Sequence, residues 1–149
     1  MPQDMTPLLG YRLKVAQHAL HRRMEAALKP LRLTPAQYAT LAELNVRPDQ
    51  TNADLAERAF ITPQSMQGVL ARLEATGHVE RRQDSGHGRR QLARLTSKGH
   101  AKAKAANIAV MHVEEELEAA VAPDNLNDAL ALMSRLHSAM NRTADDGDQ

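Results

Sequence analysis

Gln64, Ser65, Gln67 and Arg72 follow a Thr62-Pro63 pair at helical spacing, and Arg89, Arg90 and Arg94 come soon after in a turn-rich segment. A helix through this run turns Gln64, Ser65, Gln67, Gly68 and Arg72 away from the apolar Met66, Val69, Leu70 and Leu73. The chemistry available is recognition, with no bond made or broken. A glutamine amide gives and takes paired hydrogen bonds, which matches the N6/N7 edge of adenine. Thr62 and Ser65 hydroxyls, beside the free amides of a helix N-terminus, suit phosphate oxygens. Arg72 is placed for backbone or guanine. Arg89 suits a narrow minor groove, where the potential is strongly negative, and Arg90 and Arg94 suit phosphates. Gly68 costs about 1 kcal/mol inside a helix and so needs a reason, either close approach to a base or phosphate or a tight helix crossing. The plainer alternatives are a solvated helix face and a charged hairpin edge that resists aggregation.

Those side chains need a frame, and the local signals supply one. Four helix starts before residue 77 are built on threonine, at Thr6-Pro7, Thr34-Pro35, Thr51 and Thr62-Pro63. The hydroxyl takes an orphan amide, and proline fits the first helical position. Leu9, Leu13, Ala16, Leu20, Met24 and Ala27 form one stripe on a helix ending near Pro30. Gln37 completes a capping box with Thr34, and that helix buries Tyr38, Leu41 and Leu44 before Arg47-Pro48. Leu55, Ala56 and Ala59 face inward after Thr51. Gly77 stands where a left-handed helix end is wanted. From Val79 to Leu95 the pattern becomes a hairpin around Asp84-Ser-Gly-His-Gly88. Val79 and Arg81 are expected opposite Arg90, Leu92 and Arg94, with Gln91, Ala93 and Leu95 inward and Arg81 as a brace. Thr96 then caps a helix over 97–121 with Ile108, Met111, Leu117 and Val121 as its apolar positions. A last helix carries Leu126, Leu130, Met133, Leu136 and Met140, and residues 143–149 are expected to be disordered.

A helix-turn-helix with a basic hairpin is a shape for holding duplex DNA. Charge agrees with it. The 149-residue chain has a net charge of only +1, yet residues 72–104 carry nine Lys/Arg against three Asp/Glu, and residues 114–149 carry two against nine. Aromatics make up 2% and hydrophobic residues 42%, so the core is aliphatic and helical. There is no cysteine, which excludes disulfides and thiolate metal sites. No 18-residue apolar run and no signal-peptide core is present, so a cytoplasmic protein is expected. No Gly-rich phosphate loop or nucleophile elbow appears, and neither an enzyme nor a cofactor is expected. His18 with His21, and His112 with Glu116, have ligand spacing, but each pair supplies only two ligands. The apolar stripes of the first and last helices predict a two-fold homodimer.

The run Asp54-Leu-Ala-Glu57, Thr62-Pro-Gln-Ser-Met66, Val69-Leu-Ala-Arg-Leu-Glu-Ala-Thr-Gly77, Val79-Glu-Arg81, Gly88-Arg89 and Leu95-Thr-Ser-Lys-Gly99 resembles the MarR family of bacterial transcriptional regulators. The resemblance covers roughly residues 9–141. It implies a mainly α protein with a small β-hairpin, a single domain over 1–149. Residues 34–95 would form the winged helix-turn-helix, and 6–30 and 97–142 the dimerisation helices. It further implies a homodimer that binds a pseudo-palindromic operator, often a repressor released by a small molecule. A metal-responsive regulator and a protein-recognition module are the alternatives. Effectors in the family sit between module and dimer helices, which here points to Leu13, Ala16, Gln17, Leu20, Tyr38 and Met111. Two departures stand out: His87 replaces a common wing aspartate, leaving Asp84 to brace Arg89, and Gly68 replaces a frequent basic residue.

Overall fold

Residues 4–86 and 88–145 are described by the computed structural model, residues 143–145 for their backbone only. In chain order they form α1 (Leu9–Leu28), a 3-10 turn (Lys29–Leu31), α2 (Pro35–Val46), α3 (Asn52–Ala59), α4 (Pro63–Ala75), β1 (Val79–Gln83), β2 (Gln91–Leu95), α5 (Ser97–Val121) and α6 (Leu126–Asp145). The mainly helical class with one antiparallel hairpin is therefore as expected. The chain divides into two compact units, Met1–Met111 and His112–Gln149, and the division falls inside α5. The first unit takes in more than the expected 34–95 module. Leu28 of α1 and Ala103, Ala106 and Val110 of α5 share one core with Leu41, Leu55, Met66 and Leu70.

Threonine caps set most of the helix starts. Thr34 accepts from the Gln37 amide at 3.2 Å while the Gln37 side chain takes the Thr34 amide at 3.0 Å. Thr51 accepts from the Asp54 amide, Thr62 from the Ser65 amide and Thr96 from the Gly99 amide. Each satisfies a donor that the helix itself cannot. The start of α1 is different. The Thr6 hydroxyl donates to the Asp4 carboxylate at 2.6 Å, and the helix begins two residues past Pro7 with no side-chain cap. At the other end, α6 continues through residues 143–145, part of the segment expected to be disordered, while 146–149 lie outside the described residues.

The hairpin pairs Val79 with Leu95, Arg81 with Ala93, Arg82 with Leu92 and Gln83 with Gln91. This corrects the expected register, in which Arg81 faced Leu92 or Arg94. Residues directly opposite share a face, so inward Val79 must meet inward Leu95. Ala93 and Leu95 are buried as expected, whereas Gln91, close to the tip, is exposed. The free edge of β2 is covered by Gln50, whose backbone exchanges hydrogen bonds of 3.2 and 2.8 Å with Ala93.

The apolar positions expected on the last two helices are mostly uncovered in the single chain. On α5 the buried positions are Ala103, Ala106, Val110 and Val113, while Ile108, Met111 and Leu117 are exposed. On α6, Leu126, Leu130, Met133 and Met140 are also exposed.

Candidate nucleic-acid interface

Pro63–Ala75 presents the expected polar face: Gln64, Ser65, Gln67, Gly68 and Arg72 are exposed, while Met66, Leu70 and Leu73 are buried. At its N-terminus the Thr62 hydroxyl donates to the Ser65 hydroxyl at 2.9 Å, so both sit together at the positive end of the helix dipole. A Cβ built on Gly68 meets nothing within 4 Å, which removes a tight helix crossing as the reason for this glycine. Just before the helix, Phe60 is 92% exposed with φ 56°, a left-handed conformation that costs a bulky residue roughly 1–2 kcal/mol. No sequence signal singled it out.

The wing is held against the helices on two sides. Arg81 donates from Nε to Glu74 Oε2 at 3.1 Å and from Nη1 to Gln67 Oε1 at 3.2 Å, the bracing role expected of it. The second contact also fixes the Gln67 amide with its NH2 free to donate. On the opposite face, Asp49 receives Arg94 through a bidentate pair, Nε to Oδ1 at 2.9 Å and Nη2 to Oδ2 at 2.7 Å, with Arg82 at 3.4 Å. Arg94 was expected to meet phosphate, but its guanidinium is instead closed on Asp49 and only 31% exposed. Arginine hydrogen bonds and charge hold the Asp49 carboxyl below the usual range, against an opposing effect of burial. Asp49 itself has φ 61°. Its role was not legible because it lies 45 residues from Arg94.

At the tip, the Asp84 amide donates to the Arg90 carbonyl at 2.7 Å, and the Gly86 amide donates to the Asp84 side chain. Gln83 donates to the Gly88 carbonyl, and Gly88 has φ 58°. Asp84 pairs with Arg90 at 3.5 Å rather than bracing Arg89. Arg89 is exposed and has no ion-pair or hydrogen-bond partner among the described residues. His87 lies outside them. A cavity of about 330 Å³ separates the start of α3, the face of α4 and the hairpin, and Gln67, Arg81, Arg89 and Arg90 line it. The structure thus brings Gln67, Arg89 and Arg90 to one groove. Arg72 faces a different cavity, with Arg32.

Of the expected crevice residues, Leu13, Ala16, Gln17 and Met111 are exposed, and Leu20 and Tyr38 are half-buried. The Tyr38 hydroxyl donates to Asn107 Oδ1 at 3.2 Å. Asn107 borders a cavity of about 510 Å³ that none of the six lines. His21 pairs with Glu25 at 3.4 Å and His112 with Glu115 at 3.5 Å. Among the described residues no three His, Asp or Glu side chains are grouped to hold a metal ion. No helix among them is long and apolar enough to cross a membrane.

A capped, polar-faced second helix beside an arginine-bearing hairpin defines a winged helix-turn-helix DNA-binding protein. The chain belongs to the MarR family of transcriptional regulators, a family that is not enzymatic. The family's sequence profile matches residues 33–90. The transcriptional repressor Rv2887 of Mycobacterium tuberculosis is 34% identical over 130 residues, covering 87% of this chain and 94% of that protein. A crystal structure of Rv2887 in complex with salicylic acid is similar with a TM-score of 0.66 at 33% identity, over 88% of this chain and 95% of that one. The transcriptional repressor CouR, bound to a 23-mer DNA duplex, gives a TM-score of 0.78 at 26% identity, over 94% and 99%.

Proposed function

We propose that two copies of this chain bind a pseudo-palindromic operator as a repressor, released by a small organic effector. The observation that carries the reading is the shared groove of Gln67, Arg89 and Arg90 beside the open face of α4. Gln64 and Gln67 read base edges in the major groove, with Gly68 close to the DNA and Arg72 at its flank. Thr62 and Ser65 hold a phosphate at the N-terminus of α4, Arg89 enters the minor groove and Arg90 meets the backbone. Arg94 we assign to bracing, because Asp49 already takes its guanidinium. Support for repression and for an effector comes from Rv2887, which is named a repressor and has been crystallised with salicylic acid. For the effector we keep Leu13, Ala16, Gln17, Leu20, Tyr38 and Met111, on α1, α2 and α5, as the proposed contacts.

Selection of bound fragments from random duplex DNA tests this directly. The expected product is a palindrome with half-sites about 10 base pairs apart, centre to centre. On that duplex, Arg89→Ala is expected to weaken binding about tenfold at fixed salt, with the oligomeric state unchanged. Unchanged affinity in a band-shift titration removes the wing from the interface.

A further inference from the structure

The basic block at residues 72–104 has a counterpart earlier in the chain. Residues 9–32, which lie before the winged helix-turn-helix, carry six Lys/Arg against one Asp/Glu. Three of the six, Arg22, Lys29 and Arg32, meet Arg72 of α4 around an open bay of about 670 Å³. All four side chains are exposed, and among the described residues none has an ion-pair or hydrogen-bond partner. Glu25, the one carboxylate in the wall, is engaged by His21 at 3.4 Å. Four like charges around one space repel one another, and an anion entering that space relieves them.

The arrangement suits an extended polyanion. A narrower cavity of about 270 Å³ around His78 shares Arg32, Leu33, Gln37 and Arg72 with the bay. Its own cations are engaged, Lys98 donating to the Thr76 carbonyl at 2.7 Å and Lys102 to the Leu31 carbonyl at 3.1 Å. The open cations are therefore those of the bay. Arg22 and Lys29 lie seven residues apart at the end of α1, about 10 Å along its axis. Successive phosphates of one strand advance about 3.4 Å along a duplex, so this span covers about three of them. Arg32 has φ 57°, a left-handed conformation that glycine or asparagine adopts with less strain. Arg72 belongs both to the polar face of α4 and to the bay, so the bay continues the surface assigned above to the operator.

We propose that the bay is a second contact with duplex DNA, in which Arg22, Lys29 and Arg32 hold backbone phosphates beside the stretch read by α4. The proposal rests on the placement of α4 against the duplex. It brings in three cations per chain that lie outside both the recognition helix and the wing. The contact is with phosphates alone, so it raises affinity for every sequence by the same factor. It also lengthens the stretch of DNA that one chain covers.

Fluorescence anisotropy of the full chain over a salt series tests this with two probes, the operator duplex selected as above and a mixed-sequence duplex of the same length. Arg22→Gln with Lys29→Gln removes two bay cations and keeps side chains that suit a helix. Arg12→Gln with Lys14→Gln removes the same charge from α1 outside the bay. At fixed salt the bay variant should bind both duplexes about tenfold or more weakly, with the ratio between them unchanged. The slope of log K against log salt concentration should shrink by about 1.8 per bound chain, two cations at about 0.9 each. The control pair should keep the slope of the parent. Arg32→Asn, which suits φ 57°, should shrink it by about 0.9 per chain. All three variants should melt no lower than the parent. An unchanged slope in the bay variant, a control that loses as much, or a loss confined to the operator overturns the proposal. If no palindrome is selected, the operator reading fails, and the mixed-sequence duplex still decides the bay.

Discussion

Gly68 separates stability from function within one residue. With open space around its missing Cβ, Gly68→Ala should fit the helix without strain and raise stability by about 1 kcal/mol, read as a higher urea midpoint. The same methyl would stand between α4 and a duplex, so operator affinity should fall about tenfold, or about 1.4 kcal/mol. A variant that is more stable and binds equally well would place this glycine off the interface. Asp49 makes the opposite case, a charge spent wholly on structure. Its carboxyl is held low by Arg94 and Arg82, so the stabilisation is complete above its unfolded pKa of about 3.9 and is lost as pH falls through the lower folded value. Asp49→Asn keeps a side chain suited to φ 61° but loses the ion pair, at a cost of about 1 kcal/mol for a pair left one-third exposed. The gap between variant and parent urea midpoints should hold from pH 7 to pH 5 and narrow below about pH 4. A gap that does not narrow on acidification would assign the loss to packing.

At the scale of elements, the Leu95-Thr96-Ser-Lys-Gly99 segment is a joint between the hairpin and α5. The Thr96 amide donates to the His78 carbonyl at 3.1 Å, and its hydroxyl donates to the Gly77 carbonyl at 2.6 Å while taking the Gly99 amide at 3.0 Å. The His78 carbonyl oxygen lies 2.0 Å from where a Gly99 Cβ would stand, so only glycine lets the backbones approach this closely. Gly99→Ala should cost about 3 kcal/mol, since backbone rather than a flexible side chain must yield. Thermal melting checks it, and an unchanged midpoint would mean that the joint can open freely. The Thr96 cap in this segment was readable from sequence, as were the caps at Thr34, Thr51 and Thr62, because each is closed by a bond spanning three residues. The bonds from Thr96 to Gly77 and His78 were not. What could not be read depends on partners outside that range. Arg94 was claimed by a residue 45 positions away, and the inner face of α5 is made in part by alanines that carry no strong hydrophobic signal. The polar face of α4 was legible from periodicity, whereas the cavity around His78 joins three segments and left no pattern in any of them.

For the whole molecule, the decisive quantity is how many charges meet the duplex at once. Leu9, Leu13 and Val15 on α1, and Leu130, Leu132, Met133 and Met140 on α6, are exposed apolar side chains that a lone chain would leave in water. Their coverage by a second copy would double the interface, giving two sets of Arg72, Arg89 and Arg90. With about one counterion displaced by each of these six arginines, the slope of log K against log salt concentration is about −5. Leu130→Asp with Met133→Asp puts two charges on the α6 stripe without touching α4 or the hairpin. Light scattering should then report twice the chain mass for the parent and one chain mass for the double variant, and anisotropy over a salt series should show the slope fall to about half. The ratio of the slopes matters more than either value, because errors in the number of contacts per copy cancel in it. Were the monomeric variant to keep the full slope, each chain would hold DNA alone and the apolar stripes would serve something other than operator recognition.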